Sequence, residues 1–174
     1  MSSRAAGVWV AVFLVLAFAG GGGLDLLGSG DSDSTRADLT GRVTRVVDGD
    51  TVKVRLARGR GTRTVRYIGV DTPESVKPDT PVQCYALRAS HFNAGLVEGE
   101  TVRLVFDAER RDVYGRLLAY VYVGDEFVNA ELVRRGYART LAIPPNTRYA
   151  GLFDRLQREA ADAHRGLWKE CAGA

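Results

Sequence analysis

Histidine and cysteine are scarce in this chain, two of each in 174 residues. His91, His164, Cys84 and Cys171 stand at spacings that fit no zinc pattern, which argues against a metal site built from them. Charge of one sign is not in large excess either. The net charge is +3 and the sequence pI is about 9.0, which suits a polyanionic partner without pointing to one. No internal repeat is visible. With 45% hydrophobic and 26% charged residues, the composition argues against a largely disordered chain. The length favours one domain with a modest core.

Long apolar runs are absent except at the N-terminus. Arg4 precedes an uncharged stretch from Ala5 to Leu24. Ala17-Phe18-Ala19 fits the small-x-small cleavage pattern of a signal peptide. The stretch is also just long enough to span a bilayer. Residues 1–27 are therefore read as a signal peptide or an N-terminal membrane anchor. Either reading makes the protein secreted or holds it on the far side of a membrane, tethered there in the second case. The segment GSGDSDSTR, within a flexible linker at 28–37, has no reason to fold. The domain proper is 38–174. In an oxidising compartment its two cysteines, Cys84 and Cys171, are candidates for a disulfide, the alternative being two free thiols. Such a bond would contribute up to about 4–5 kcal/mol in the chain-entropy description.

Within the domain, Leu39 to Val70 reads as β structure. Asp48-Gly49-Asp50 is a turn, and Arg58-Gly59-Arg60-Gly61 is a basic hairpin tip between strands 51–56 and 63–70. Proline is rare, but three of five, Pro73, Pro78 and Pro81, fall together and predict an irregular loop. Val82 to Val97 is predicted helical, with Tyr85, Ala89, Phe92 and Leu96 at three- and four-residue steps. Strands are expected at Thr101–Phe106 and Leu117–Tyr122, and a short helix at Val128–Arg135, stopped by Gly136. A last helix spans Tyr149 to His164, with Leu152, Leu156, Ala160 and Ala163 on one face. The fold class is α+β: a five-stranded OB-type barrel with three helices.

Three segments carry the chemistry: VVDGDTVKV at 46–54, VRYIGVDTPES at 65–75 and RDVYGRLLAYV at 111–121. If strands 51–56 and 63–70 pair, Asp50 and Asp71 reach the same end of the sheet. Two carboxylates plus a freed carbonyl such as that of Thr72 suit Ca²⁺, which takes oxygen ligands in irregular geometry. Asp48 is either an outer ligand or the turn residue. Glu74, three residues past Asp71, can orient or deprotonate a water beside such a cation. By alternation Arg66 shares a face with Ile68 and Val70, a costly place for a charge unless it is paired or at the barrel mouth. Arg116 heads a strand. Two arginine forks can grip one phosphate and neutralise charge as it develops. Tyr114 can stack on a base, or pack as an edge aromatic. This is the inventory of a metal-assisted phosphodiesterase.

The joint pattern resembles the staphylococcal nuclease (thermonuclease) family. DGDT at 48–51, R-x-x-x-x-D-T-P-E at 66–74, D-x-Y-G-R at 112–116 and GLW at 166–168 carry the resemblance, which covers about Leu39 to Trp168. It implies a secreted Ca²⁺-dependent phosphodiesterase acting on DNA and RNA and leaving 3′-phosphate ends; the protein is expected to be a monomer. It implies Asp50 and Asp71 as side-chain metal ligands, Thr72 as a carbonyl ligand, and Glu74 as the general base or water-orienting group. Arg66 and Arg116 would clamp the phosphate, and Tyr114 would touch the nucleotide. Two departures bear on substrate. Val113 stands where the family's type member has a phosphate-contacting lysine, and 138–145 lacks a base-stacking tyrosine. The rival reading is a non-catalytic OB module that binds nucleic acid or protein. It has no need for Asp50, Asp71, Glu74, Arg66 and Arg116 together. A surface calcium-binding protein would leave both arginines unexplained.

Overall fold

A computed structural model of the chain describes residues 38–75 and 81–172. The signal peptide or anchor read at 1–27 and the linker at 28–37 lie outside the described residues. The first strand, β1 (Leu39–Asp48), turns at Gly49-Asp50 into β2 (Thr51–Leu56), which returns as β3 (Thr62–Tyr67). Strict alternation drives this hairpin: Val52, Val54 and Leu56 are buried while Lys53 and Arg55 are exposed. After the helix α1 (Ala86–Val97) come β5 (Thr101–Val105) and β6 (Leu117–Val123), the short β4 (Gly69–Asp71) lying between β3 and α1. The strands run β3-β2-β1-β5-β6, and β3 pairs in parallel with β6 to close the barrel. Its interior is filled by residues such as Val52, Val65, Leu104 and Val121, all fully buried. This is the OB-type barrel expected.

Closure positions the site. Val65 lies opposite Leu117 and Arg66 opposite Leu118 in the parallel pairing. Arg116, at the head of β6, is thereby brought to the end of β3 that carries Arg66.

Three elements depart from expectation. The return strand does not run unbroken to Val70. It stops at Tyr67, and β4 leaves the barrel to pair with β8 (Arg139–Leu141), with Asp71 opposite Arg139. Gly69, at φ +79°, makes the break, and a Cβ there would collide with the ring of Phe153. Arg66 consequently does not share an apolar face with Ile68 and Val70. It stands on the outer side of β3, half-buried. Second, α1 begins at Ala86, not Val82, because Tyr85 takes a left-handed conformation (φ 71°) and Gln83 spends its backbone N–H on the carbonyl of Glu74. Third, the last helix, α3 (Ala150–Asp162), buries Phe153, Leu156 and Ala160, while Ala163 is exposed. β7 (Glu126–Phe127) leads into α2 (Val128–Arg134), and a one-turn helix, α4 (Leu167–Glu170), ends the domain. β4, β7, β8 and α4 are additions to the expected five strands and three helices.

Cys84 and Cys171 form a disulfide, joining the approach to α1 with the end of α4 across 87 residues of sequence. Among the described residues, no helix is long and apolar enough to cross a membrane.

Candidate active site

Asp50 is the centre of the site, and the DGDT turn is built to place it. Asp48 accepts the backbone N–H of Asp50 at 3.1 Å, fixing the turn. Gly49 leaves room for Thr72: a Cβ on Gly49 would lie 2.6 Å from the Thr72 hydroxyl. Thr72 uses that access to donate its backbone N–H to Asp50 Oδ2 at 2.8 Å and its hydroxyl at 3.1 Å. Thr51 donates its hydroxyl to Oδ1 at 3.2 Å. The motif residues at 48–51 and 72 thus form one hydrogen-bonded unit around a buried carboxylate.

Arg66 ties the two predicted ligands together. One guanidinium nitrogen lies 2.9 Å from Asp50 Oδ2, the other 2.9 Å from Asp71 Oδ1. The first also donates to the carbonyls of Val70 (2.8 Å) and Tyr67 (3.2 Å), so this arginine braces the break between β3 and β4. Its fork is engaged by the two acids in this arrangement. Asp71, unlike Asp50, is largely open to solvent.

Burial pushes the Asp50 carboxyl up to about 7. Arg66 and the Thr72 amide pull it back, while Asp48 and Asp71 add repulsion. A carboxylate held buried beside two others gains strongly from added positive charge. The donor set of Asp50, Asp71 and the Thr72 carbonyl is all hard oxygen, as Ca²⁺ or Mg²⁺ requires. Among the described residues no group of three His, Cys, Asp or Glu side chains is placed to cage a metal by itself. A cation here would fill its shell with water and phosphate oxygens. The residues fit a hard divalent cation held in that way.

Glu74 is held by its backbone. It donates its N–H to Gln83 Oε1 at 2.8 Å and accepts the N–H of Gln83 at 3.0 Å. Gln83 is next to the disulfide-bonded Cys84, so the covalent bridge anchors the clamp. Arg116 is placed by Asp112, whose Oδ2 accepts its Nε at 2.6 Å. Oδ1 of Asp112 accepts the backbone N–H groups of Tyr114 (3.0 Å) and Arg116 (2.9 Å). The two terminal nitrogens of Arg116 take no partner among the described residues.

Asp48, Asp50, Thr51, Arg66, Asp71, Thr72, Glu74 and Arg116 all line one recess of about 60 Å³. Every residue read as catalytic or metal-binding from sequence is among them. Tyr114 is not. It is 81% exposed, with its ring 5.5 Å from the Arg116 guanidinium. A larger hollow of about 420 Å³ adjoins the recess and shares Arg66 and Arg116 with it. Val113, Leu118, Leu141 and Ile143 give it apolar walls. Sequence reasoning missed Asp112 and Gln83. The first was legible as an Asp followed by Tyr-Gly-Arg, a local turn signal. The second acts across nine residues and left no local signal.

A family model described as staphylococcal nuclease homologue matches residues 64–170. A thermonuclease of Staphylococcus intermedius is 43% identical over 82% of this chain and 85% of its own length. A thermonuclease of Staphylococcus hyicus is 40% identical over 78% of the chain and 79% of its own length. The endonuclease YncB of Bacillus subtilis is 44% identical over 72% of the chain and 60% of its own length. The chain belongs to the staphylococcal nuclease family. Within that family, DGDT at 48–51, DTPE at 71–74 and the Arg116 of DVYGR at 112–116 of this member meet at the recess.

Proposed function

We propose that this protein is a Ca²⁺-dependent extracytoplasmic nuclease that hydrolyses DNA and RNA with little sugar or sequence preference and leaves 3′-phosphate ends. Membership of the family supports the coarse statement, that it is a phosphodiester hydrolase acting on nucleic acid. The observation that carries the finer reading is the single recess that gathers the buried Asp50, the open Asp71, a further acid in Glu74 and two arginines.

In this reading Glu74 takes the proton of an attacking water. The water oxygen bonds to phosphorus, the bond from phosphorus to the 5′ oxygen breaks, and that oxygen leaves as a hydroxyl after protonation from solvent. Asp50, Asp71 and the Thr72 carbonyl would hold the cation, which when bound supplies charge neutralisation at the phosphate. Arg116 offers its two terminal nitrogens to the non-bridging oxygens, and Asp112 keeps that fork aimed. Arg66 can turn to the phosphate once another positive charge answers Asp50 and Asp71. The apolar hollow beside Val113 and Leu118 suits the nucleoside, and Tyr114 stands exposed beside Arg116 for stacking. All the charged groups address phosphate, which is common to DNA and RNA.

The extracytoplasmic location is supported by the apolar run at 5–24 and by a disulfide, which persists in oxidising compartments. End-group analysis tests the chemistry. Products cut in Ca²⁺ from DNA and from RNA should both carry 3′-phosphates, and Mg²⁺ should support less activity. Products carrying 5′-phosphates, or full activity in Mg²⁺ with none in Ca²⁺, would contradict the reading.

A further inference from the structure

The outer face of the β1–β2–β3 sheet carries positive charge that no acid among the described residues pairs with. The register sets Arg45 opposite Lys53 and Arg42 opposite Arg55. Like charges directly across a strand pair repel, and here two such pairs occur in succession. Past them the hairpin tip adds Arg58 and Arg60, both exposed. None of these side chains forms an ion pair among the described residues. Other surface arginines do: Arg103 with Asp38, Arg135 with Glu131, Arg148 with Asp107. Between residues 39 and 70 the only acids are Asp48 and Asp50, both at the recess.

This face is continuous with the site. Thr51 pairs with Arg66, Lys53 with Thr64 and Arg55 with Thr62. Residues two apart on a strand share a face, so Arg66, Lys53 and Arg55 stand in successive rows leading away from the recess. From Thr51 to the tip the strand spans about 20 Å, a length over which one B-form DNA strand carries about six phosphates. The outward residues of these rows are Arg, Lys and Thr, with no aromatic ring to stack on a base. Such a surface grips phosphates and ignores base identity.

We propose that this face is a phosphate-backbone track that holds the substrate strand for several nucleotides beyond the phosphate in the recess. The proposal rests on the nuclease reading and extends it from one phosphate to a bound strand.

The test neutralises the middle of the track, Lys53→Gln with Arg55→Gln, both exposed positions. Binding of a single DNA strand of about 20 nucleotides is measured against salt in the Glu74→Gln background, so that no cleavage is needed. The slope of log K against log salt should fall by about 1.4, roughly 0.7 for each phosphate that the protein no longer neutralises. With Glu74 restored, the ratio of KM for the 20-mer to KM for a dinucleotide should rise about tenfold. An unchanged salt slope, or an unchanged KM ratio, would overturn the track. So would lost binding to phosphatidylglycerol vesicles with strand binding intact, which would make the face a membrane-binding surface. Dinucleotide cleavage reports on the nuclease reading separately. If the parent protein cuts neither substrate, that reading fails while the salt slope still decides the track.

Discussion

The two ends of the β2–β3 hairpin hold arginines in opposite circumstances. At one end Arg66 is half-buried, with both acids and two carbonyls within hydrogen-bond reach. At the other, Arg58 and Arg60 are exposed, and neither forms an ion pair among the described residues. The same strand pair thus runs from an ordered, acid-rich cluster to a positive surface that no described acid pairs with. Arg66 and Thr72 hold the buried Asp50 carboxylate from several sides without fully offsetting its burial, so the recess is an ordered site that favours added positive charge. An exposed charge needs no partner and acts at range, tuned by salt. The first arrangement suits chemistry at one phosphate. The second suits holding many.

The largest effect expected at the recess end is from Glu74→Gln. Turnover should fall by about 10²–10⁴ with strand affinity kept, read by single-turnover cleavage beside equilibrium binding. Wild-type turnover would remove Glu74 as the base. Arg116→Lys comes next. Lysine lacks the planar fork and cannot reproduce the Nε contact to Asp112, so kcat should drop by about 10²-fold with a smaller change in Kd. Loss of affinity alone would make Arg116 a binding residue only.

Asp50 sharpens the contrast through pH. Its folded value, about 7, lies above the ordinary 3.8. The folded protein therefore binds more protons than the unfolded chain between those values. Stability tied to the neutral carboxyl is fully present below about 4 and is lost as pH rises through 7. In EDTA, Asp50→Asn should become progressively more stable than wild type across that window and hold a constant advantage above it. Urea unfolding at several pH values reads this. A difference that stays flat would mean Asp50 is not strained by burial. The smallest effect belongs to the open face. Arg55→Thr should raise stability by a few tenths of a kcal/mol at low salt, by removing the repulsion with Arg42, and the gain should vanish at high salt.

Much of this contrast was legible in the sequence. The alternation in 51–56 and the basic tip at 58–61 mark the β2–β3 hairpin, and the alternation turns Lys53 and Arg55 outward. DGDT, DTPE and D-x-Y-G-R each supply residues that line the recess, while Tyr114 stands outside it. What the sequence hid was set by distant partners. Gly69 looks like an ordinary strand position until Phe153 arrives on α3 to exclude a side chain there. The periodicity at 82–85 is helical, yet Gln83 and Cys84 are committed to Glu74 and Cys171. Alternation placed Arg66 among apolar neighbours, because nothing local shows the strand breaking one residue after Tyr67. Asp112 was within reach, since its role is a local turn, whereas the clamp of Gln83 on Glu74 is visible only in three dimensions.

The most direct measurement is cleavage of single-stranded DNA by the purified protein in Ca²⁺, in EDTA, and with the Glu74→Gln variant in Ca²⁺. The account predicts cutting by the wild type in Ca²⁺ and none in the other two. A folded protein that binds both Ca²⁺ and the strand yet leaves it intact would contradict the account and make this recess a binding site.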